Sequence, residues 1–320
     1  NTDYYCIDDN YSEEQILIRN ATRDWVKKHV KPHIEEHFQR AETPSYLVKE
    51  LSNIGAFGLI IPENYGGVGA DYISFGLMMQ ELEKGDSSIR VISSIQTSLV
   101  MYAIYKFGSE EQRAKYLPKL ATGEMLGAFG LTEPDFGSNP SSMHSYYKED
   151  GDNIVINGSK MWIGNAETAD IAIIWIKDES SNVKGVIVET KNITNFTTTT
   201  LKDKWSFRSS KTGELVFSDS VIAKEQVLTK STSIQNAYEC LNIGRYAVAW
   251  GSIGIAMECY ETALQYSKER IQFGKPIGSN QLIQKKLTDM ITEITKAQLL
   301  CYQLGKLMDE GNANYQQISM

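Results

Sequence analysis

Long apolar runs are missing from this sequence. None approaches the roughly 20 residues that a helix needs to cross a bilayer, so no stretch reads as a membrane span. The opening residues, Asn-Thr-Asp-Tyr-Tyr-Cys, do not pair a basic stretch with an apolar one and so do not read as a secretory signal. Basic charge is in short supply: 32 Lys and Arg face 40 Asp and Glu, for a net charge of −8. That balance argues against non-specific nucleic-acid binding, which requires basic patches. Cysteine is sparse as well. Cys6, Cys240, Cys259 and Cys301 include no Cys-x-x-Cys pair, which excludes a secreted disulfide framework and fits reduced thiols in a cytoplasmic or mitochondrial-matrix setting. Their simplest role is as small buried apolar side chains. A third glycine is absent after Gly67-x-Gly69, and no βαβ pattern precedes it, so a dinucleotide-binding fingerprint is excluded.

What is present is ordinary globular composition, 42% hydrophobic and 22% charged, so disorder is not expected. At 320 residues the chain is long for one core. Apolar residues from Ile16 to Ile34 recur at helical spacing and predict a helix over 13–38, kinked or ended by Pro32. His29, His33 and His37 follow at i, i+4 and i+8, where a metal-binding stripe competes with a solvated helix face; the solvated face is the better reading. Further helices are expected over 45–54, 72–84, 89–107 and 109–121, the last opened by a Ser109/Gln112 capping box.

Between about 125 and 221 the period shortens. Segments 146–149, 153–157, 171–176, 185–189 and 214–217 are rich in β-branched residues and separated by Asp-Gly, Asn-Gly and Ser-Ser-Asn turns, which predicts a small antiparallel β domain. After Lys224 the pattern is helical again. Ile283, Leu287, Met290, Ile294, Ala297, Cys301, Leu304 and Met308 form a heptad stripe of a long bundle helix. A bundle needs more partners than remain after Met308, so its C-terminal part is expected to be incomplete. The expected class is α+β, with a helical domain over 1–124, a β domain over 125–222 and a helical bundle over 223–320.

At the boundary between the first two lies residues 127–139, Gly-Ala-Phe-Gly-Leu-Thr-Glu-Pro-Asp-Phe-Gly-Ser-Asn. Pro134 and Gly137 forbid a helix there, so its peptide groups and the hydroxyls of Thr132 and Ser138 are free to hold a polar, planar or phosphorylated ligand.

Five motifs in this order resemble the acyl-CoA dehydrogenase family from about Glu13 to the last residue. They are Pro62-Glu-x-Tyr-Gly-Gly, Phe129-Gly-Leu-Thr-Glu-Pro-x-x-Gly-Ser, Asn157-Gly-x-Lys-x-Trp-Ile, Arg208-x-Ser-x-Thr and Arg270-x-Gln-Phe-Gly-x-Pro-Ile. Cys240-Leu-Asn-x-x-Arg-Tyr-x-x-Ala-Trp and Asn280-Gln-Leu-Ile-Gln-Lys-Lys-Leu-x-Asp-Met are similar to its glutaryl-CoA dehydrogenase members. The resemblance implies FAD as cofactor. Phe129, Leu131 and Thr132 would meet the flavin pyrimidine edge, and Trp162, Ile163 and Gly164 would lie along the ring. Ser138 would bond the FAD pyrophosphate or the substrate's pantetheine. Arg270 and Gln281 would reach the FAD of a neighbouring subunit, which implies a homotetramer or homodimer. Asn242 and Arg245 would hold the pantetheine, and Glu83, Arg90 and Ser94 the distal carboxylate of a glutaryl group. For Arg90 the alternative is a surface charge near a helix start, after Asp86-Ser-Ser.

The implied reaction is α,β-dehydrogenation of an acyl-CoA thioester, with oxidative decarboxylation to crotonyl-CoA for a glutaryl substrate and electrons leaving to an electron-transferring flavoprotein. Rival expectations are a dehydrogenase acting on an acyl- or aminoacyl-carrier protein and a non-catalytic relative. Two departures stand out. Gly164 replaces the family's usual Thr. The family's basic Glu, in a Tyr-Glu-Gly-Thr turn, has no counterpart; Gly244 occupies its minority position, and Glu239 lies on no family position. No catalytic base is identified.

Overall fold

The computed structural model describes residues 3–320. Ser12 opens α1 (Glu13–Trp25): its Oγ accepts from the Gln15 amide, and Gln15 returns the bond to the Ser12 amide. Such reciprocal caps satisfy amides that have no partner within the helix. A π segment follows over Val26–Val30, then a turn at residues 31–33, before α2 (Ile34–Arg40). Pro32 has no amide to donate, so the helix expected over 13–38 is broken there. His29, His33 and His37 therefore share no continuous stripe.

Next come α3 (Ser45–Asn53), α4 (Tyr72–Gly85) and α5 (Ser87–Ser94). The last runs through a second π segment, Ile95–Met101, into α6 (Tyr102–Phe107), so the helix expected over 89–107 carries an insertion within it. The Ser109/Gln112 capping box opens α7 (Glu110–Ala121) as expected.

Seven strands follow: β1 (Gly127–Gly130), β2 (Tyr146–Asp150), β3 (Asn153–Gly164), β4 (Ile171–Lys177), β5 (Val183–Glu189), β6 (Phe196–Thr200) and β7 (Thr212–Ala223). The chain then enters α8 (Ile234–Glu269), a hairpin of β8 (Ile271–Gln272) and β9 (Lys275–Pro276), α9 (Gln281–Asp309) and α10 (Tyr315–Ser319).

The chain divides into two compact units. The first comprises the segment up to Pro32 together with Asp71–Arg90 and Arg245–Met320. In it, Trp250 and Tyr246 of α8 are buried, and Tyr246 stacks 6.4 Å from Phe75 of α4. Of the α9 heptad residues, Ile294, Cys301 and Leu304 are buried and the remainder are half-exposed; Met290, Ile294, Ala297, Cys301 and Leu304 line a groove of about 880 Å³.

The second unit, His33–Ala70 with Val91–Gly244, holds the whole sheet. β4 is buried on both faces: Ile171, Ile173 and Trp175 join one cluster with Val100 and Phe107, while Ala172, Ile174 and Ile176 join another with Ile154 and Val188. A continuous apolar run is what a strand covered on both sides requires.

Three expectations need correction. The sheet is mixed, because β1 pairs in parallel with β4; the β2–β3 hairpin lies within the crossover that parallel strands require. Residues 127–130 of the expected ligand loop are strand, because β4 supplies their hydrogen-bond partners, and the loop begins only at Leu131. Cys6 and Cys259 are exposed, and only Cys240 and Cys301 are buried.

Candidate functional site

Strand β3 faces the core with every second residue, Ile154 and Ile156 among them, and that period carries Lys160 inward too. Lys160 is completely buried. Its Nζ lies 2.8 Å from Glu133 Oε1 and donates to the Leu131 carbonyl at 3.1 Å. Glu133 in turn accepts from the amides of His144 at 2.6 Å and Ser145 at 3.0 Å. Burial works to raise the Glu133 pKa, but the Lys160 charge and these donors outweigh it and hold the carboxyl below its usual range. Burial pushes the Lys160 ammonium down to about 8, against the pull of Glu133. The 2.8 Å contact is thus an ion pair cut off from water. The next residue, Met161, donates its amide to the Thr132 carbonyl at 2.8 Å. Consecutive residues of β3 therefore fix Leu131 and Thr132.

Between Lys160 and Ile163 the β3–β7 register shifts, as in a β-bulge. Trp162 sits in that irregularity at φ 64°, a left-handed conformation unusual for a bulky residue. It is 63% exposed. A strained backbone that turns an indole away from the core is a feature to be explained by a ligand. Trp162 lines a cleft of about 590 Å³ with Val91, Ile95 and Gly164 on an apolar wall and Lys202, Lys204 and Thr212 among its polar lining. Lys204 shapes the rim by donating to the Phe207 carbonyl, the Ser210 carbonyl and Thr212 Oγ1 at 2.8, 2.5 and 2.9 Å. Trp205, at the tip of this loop, is 95% exposed.

The structure thus brings Leu131, Thr132, Trp162, Ile163 and Gly164 to one strand end. Phe129 and Ile163 turn their side chains into the core, Phe129 lying 6.2 Å from the Trp175 ring, so any ligand contact from Phe129 falls to its backbone. Ser138 lies farther along the loop and is exposed. Arg208, part of one family motif, spans the carbonyls of Phe38 at 2.9 Å and Gln39 at 3.1 Å, a structural tie.

In the first unit, Glu83 near the end of α4 and Arg90 on α5 are both buried, and Arg90 Nε donates to Glu83 Oε2. The surface-charge alternative for Arg90 is excluded, since it is only 4% exposed. Gly251 on α8 makes room for the pair: a β-carbon there would lie 2.9 Å from Glu83 Oε2 and 3.1 Å from Arg90 Nε. Ser94, one turn beyond Arg90 on α5, is buried with its Oγ 3.3 Å from Ser98 Oγ. Asn242 is half-buried and Arg245 exposed on α8, with Gly244 between them and Glu239 half-buried earlier on that helix.

Arg270 follows α8 and is exposed, as is Gln281 at the start of α9. The β8–β9 hairpin between them turns through Phe273 at φ 52° and Gly274 at φ 77°. Successive positive φ angles are the geometry of a tight two-residue hairpin, and they leave Phe273 entirely in solvent.

Sequence reasoning missed Lys160, Glu133 and Gly251. The signal for Lys160 was a charged residue on the inward register of an otherwise aliphatic strand; for Gly251 the sequence carries none.

The chain matches the acyl-CoA dehydrogenase N-terminal domain over residues 12–124, the middle domain over 128–220 and the C-terminal domain over 234–320. It is 35% identical over 320 residues to a glutaryl-CoA dehydrogenase of Desulfococcus multivorans, covering 96% of this chain and 81% of that one. The solved glutaryl-CoA dehydrogenase of Mycobacterium smegmatis superposes with a TM-score of 0.95 at 40% identity, over 98% of this chain and 80% of that one. A glutaryl-CoA dehydrogenase structure from the same organism, in complex with FADH2, gives 0.96 at 37% identity, over 98% and 81%. With all three domains matched in order, the chain belongs to the acyl-CoA dehydrogenase family.

Proposed function

We propose that this protein is an FAD-dependent dehydrogenase of acyl-CoA thioesters whose substrate is of the glutaryl type, oxidised and decarboxylated to a crotonyl thioester. The residues present fit the cofactor. Trp162 exposes an indole in a strained conformation beside Gly164, and Leu131 and Thr132 are held rigidly next to it by Lys160 and Met161. When bound, FAD supplies the two-electron acceptor for the β-hydride. In this reading the Thr132 hydroxyl and the backbone of Phe129 and Leu131 serve the pyrimidine edge, and Ile163 and Gly164 carry the backbone past the ring. Ser138 bonds the pyrophosphate or the pantetheine. Asn242 and Arg245 position the pantetheine arm. Arg270 and Gln281, both exposed, serve the cofactor of a second copy in a homodimer or homotetramer, and an electron-transferring flavoprotein accepts the electrons.

The observation that carries the substrate class is the buried Glu83–Arg90 pair against Gly251. Glu83 takes the Nε edge of the guanidinium; the Nη edge is the one we assign to the ligand's distal carboxylate, with Ser94 as hydroxyl partner. A guanidinium fork matches a carboxylate bidentately. The test compares glutaryl and butyryl thioesters on FAD-loaded wild-type and Arg90→Gln protein. Selective loss of the glutaryl thioester supports the reading, and equal loss of both makes Arg90 structural. A protein that takes up no FAD would overturn the cofactor assignment.

A further inference from the structure

The π segment that begins at Ile95 and the end of β3 interlock through side-chain pairs adjacent in sequence. Gln96 Oε1 accepts from the Gly127 amide at 2.9 Å, and its Nε2 donates to the carbonyls of Leu120 and Met125 at 2.9 and 2.8 Å. Asn165 Nδ2 donates to the Gly127 carbonyl at 3.0 Å. Both peptide groups of Gly127 are thus tied, one to the helix and one to the strand end, and each tie is buried. One residue before each tether stand Ile95 and Gly164. A β-carbon at position 164 would lie 2.4 Å from Ile95 Cδ1. The isoleucine methyl therefore occupies the space that a side chain on the strand would take. Gln96 and Asn165 thus hold both backbones, and the two side-chain positions beside them, Ile95 and Gly164, line one cleft with Val91 and Trp162.

We propose that Ile95 and Gly164 are a size-matched pair that sets the width of this cleft beside Trp162, and that the pair selects acyl chains unbranched near the thioester carbonyl. The proposal rests on the dehydrogenase reading of the same cleft. Ile95 closes the apolar wall with a branched aliphatic side chain, while Gly164 leaves no side chain of its own. A methyl branch on the ligand's α- or β-carbon needs the volume that the Ile95 δ-methyl fills. Interiors are packed densely enough for one methyl to be felt, and a single methylene in an apolar pocket discriminates ligands by roughly 10–200-fold.

The test uses the FAD-loaded protein and two enoyl thioesters, which bind without being dehydrogenated: crotonyl-CoA, unbranched, and tiglyl-CoA, its α-methyl analogue. Ile95→Val deletes only the δ-methyl, and bound-flavin absorption together with thermal unfolding confirms that cofactor and fold are retained. Calorimetric titration is expected to show the preference for crotonyl over tiglyl falling roughly tenfold in Ile95→Val. It should rise in Gly164→Ala, where the new β-carbon displaces the Ile95 methyl, and return toward the wild-type ratio in the double variant. An unchanged ratio in FAD-loaded Ile95→Val, or a ratio that does not rise in FAD-loaded Gly164→Ala, would overturn the proposal while leaving the dehydrogenase reading intact. A wild-type protein that binds neither FAD nor either thioester would overturn both.

Discussion

Lys160 Nζ lies 2.8 Å from Glu133 Oε1, and neither side chain is exposed beyond 5%. The pair stands directly behind Leu131 and Thr132, the backbone assigned to the flavin edge. Removing one member leaves the other charged and buried, which costs roughly 3–5 kcal/mol. Glu133→Gln or Lys160→Met alone should therefore lower the stability measured by denaturant unfolding by that order. The double variant should lose clearly less than the sum. Additive losses would show that the two charges do not interact.

Gly251 is expected to matter only through its neighbours. A β-carbon there would crowd Glu83 Oε2 at 2.9 Å and Arg90 Nε at 3.1 Å. Gly251→Ala should weaken binding of a glutaryl thioester by about tenfold or more, the order of about 1.4 kcal/mol that a distorted charge pair readily loses. Binding of a butyryl thioester, compared in the same titration series, should change little. Parallel losses on both ligands would assign the glycine to helix packing alone.

Acid stability should depend on Glu189. The Lys115 ammonium lies 2.8 Å from its Oε1, and the Tyr116 hydroxyl donates to the same oxygen at 2.7 Å. First Lys115 and then Tyr116 hold its pKa down, at about 2 against the ordinary 4.5. A carboxyl depressed on folding contributes stability that is full above pH 4.5 and is lost as the pH falls toward 2. Glu189→Gln should therefore flatten the decline of unfolding free energy between those pH values. It should also lower stability at pH 7. A decline as steep as that of the wild type would place the acid sensitivity elsewhere.

The cap of α7 gives a local test. Ser109 Oγ accepts from the Gln112 amide at 3.2 Å while Gln112 Oε1 accepts from the Ser109 amide at 2.9 Å. Ser109→Ala should cost about 1 kcal/mol, the typical value of an N-cap hydroxyl. Ser109→Asp should restore most of it. Chemical denaturation of the three proteins side by side decides the point.

The sequence by itself determined what depends on neighbours along the chain. Apolar period separated helices from strands, the Ser109/Gln112 spacing placed a capping box, and Pro32 marked where α1 and its π segment give way. The order of the motifs around Phe129, Trp162 and Arg270 was enough to point to the family. Tertiary structure alone decided what depends on distant segments meeting. The parallel pairing of β1 with β4 required a partner more than forty residues away, so Gly127–Gly130 read as loop when their hydrogen-bond partners were out of sight. Burial of Arg90 required α8 to bring Gly251, a residue with no side chain and hence no signal, against the guanidinium. Lys160 and Glu133 carried visible charges, but only the fold showed that both are cut off from water, where a pairing that is weak at a surface becomes strong. The fit of Ile95 to Gly164 is decided the same way, because complementarity of volume has no signature in a one-dimensional pattern.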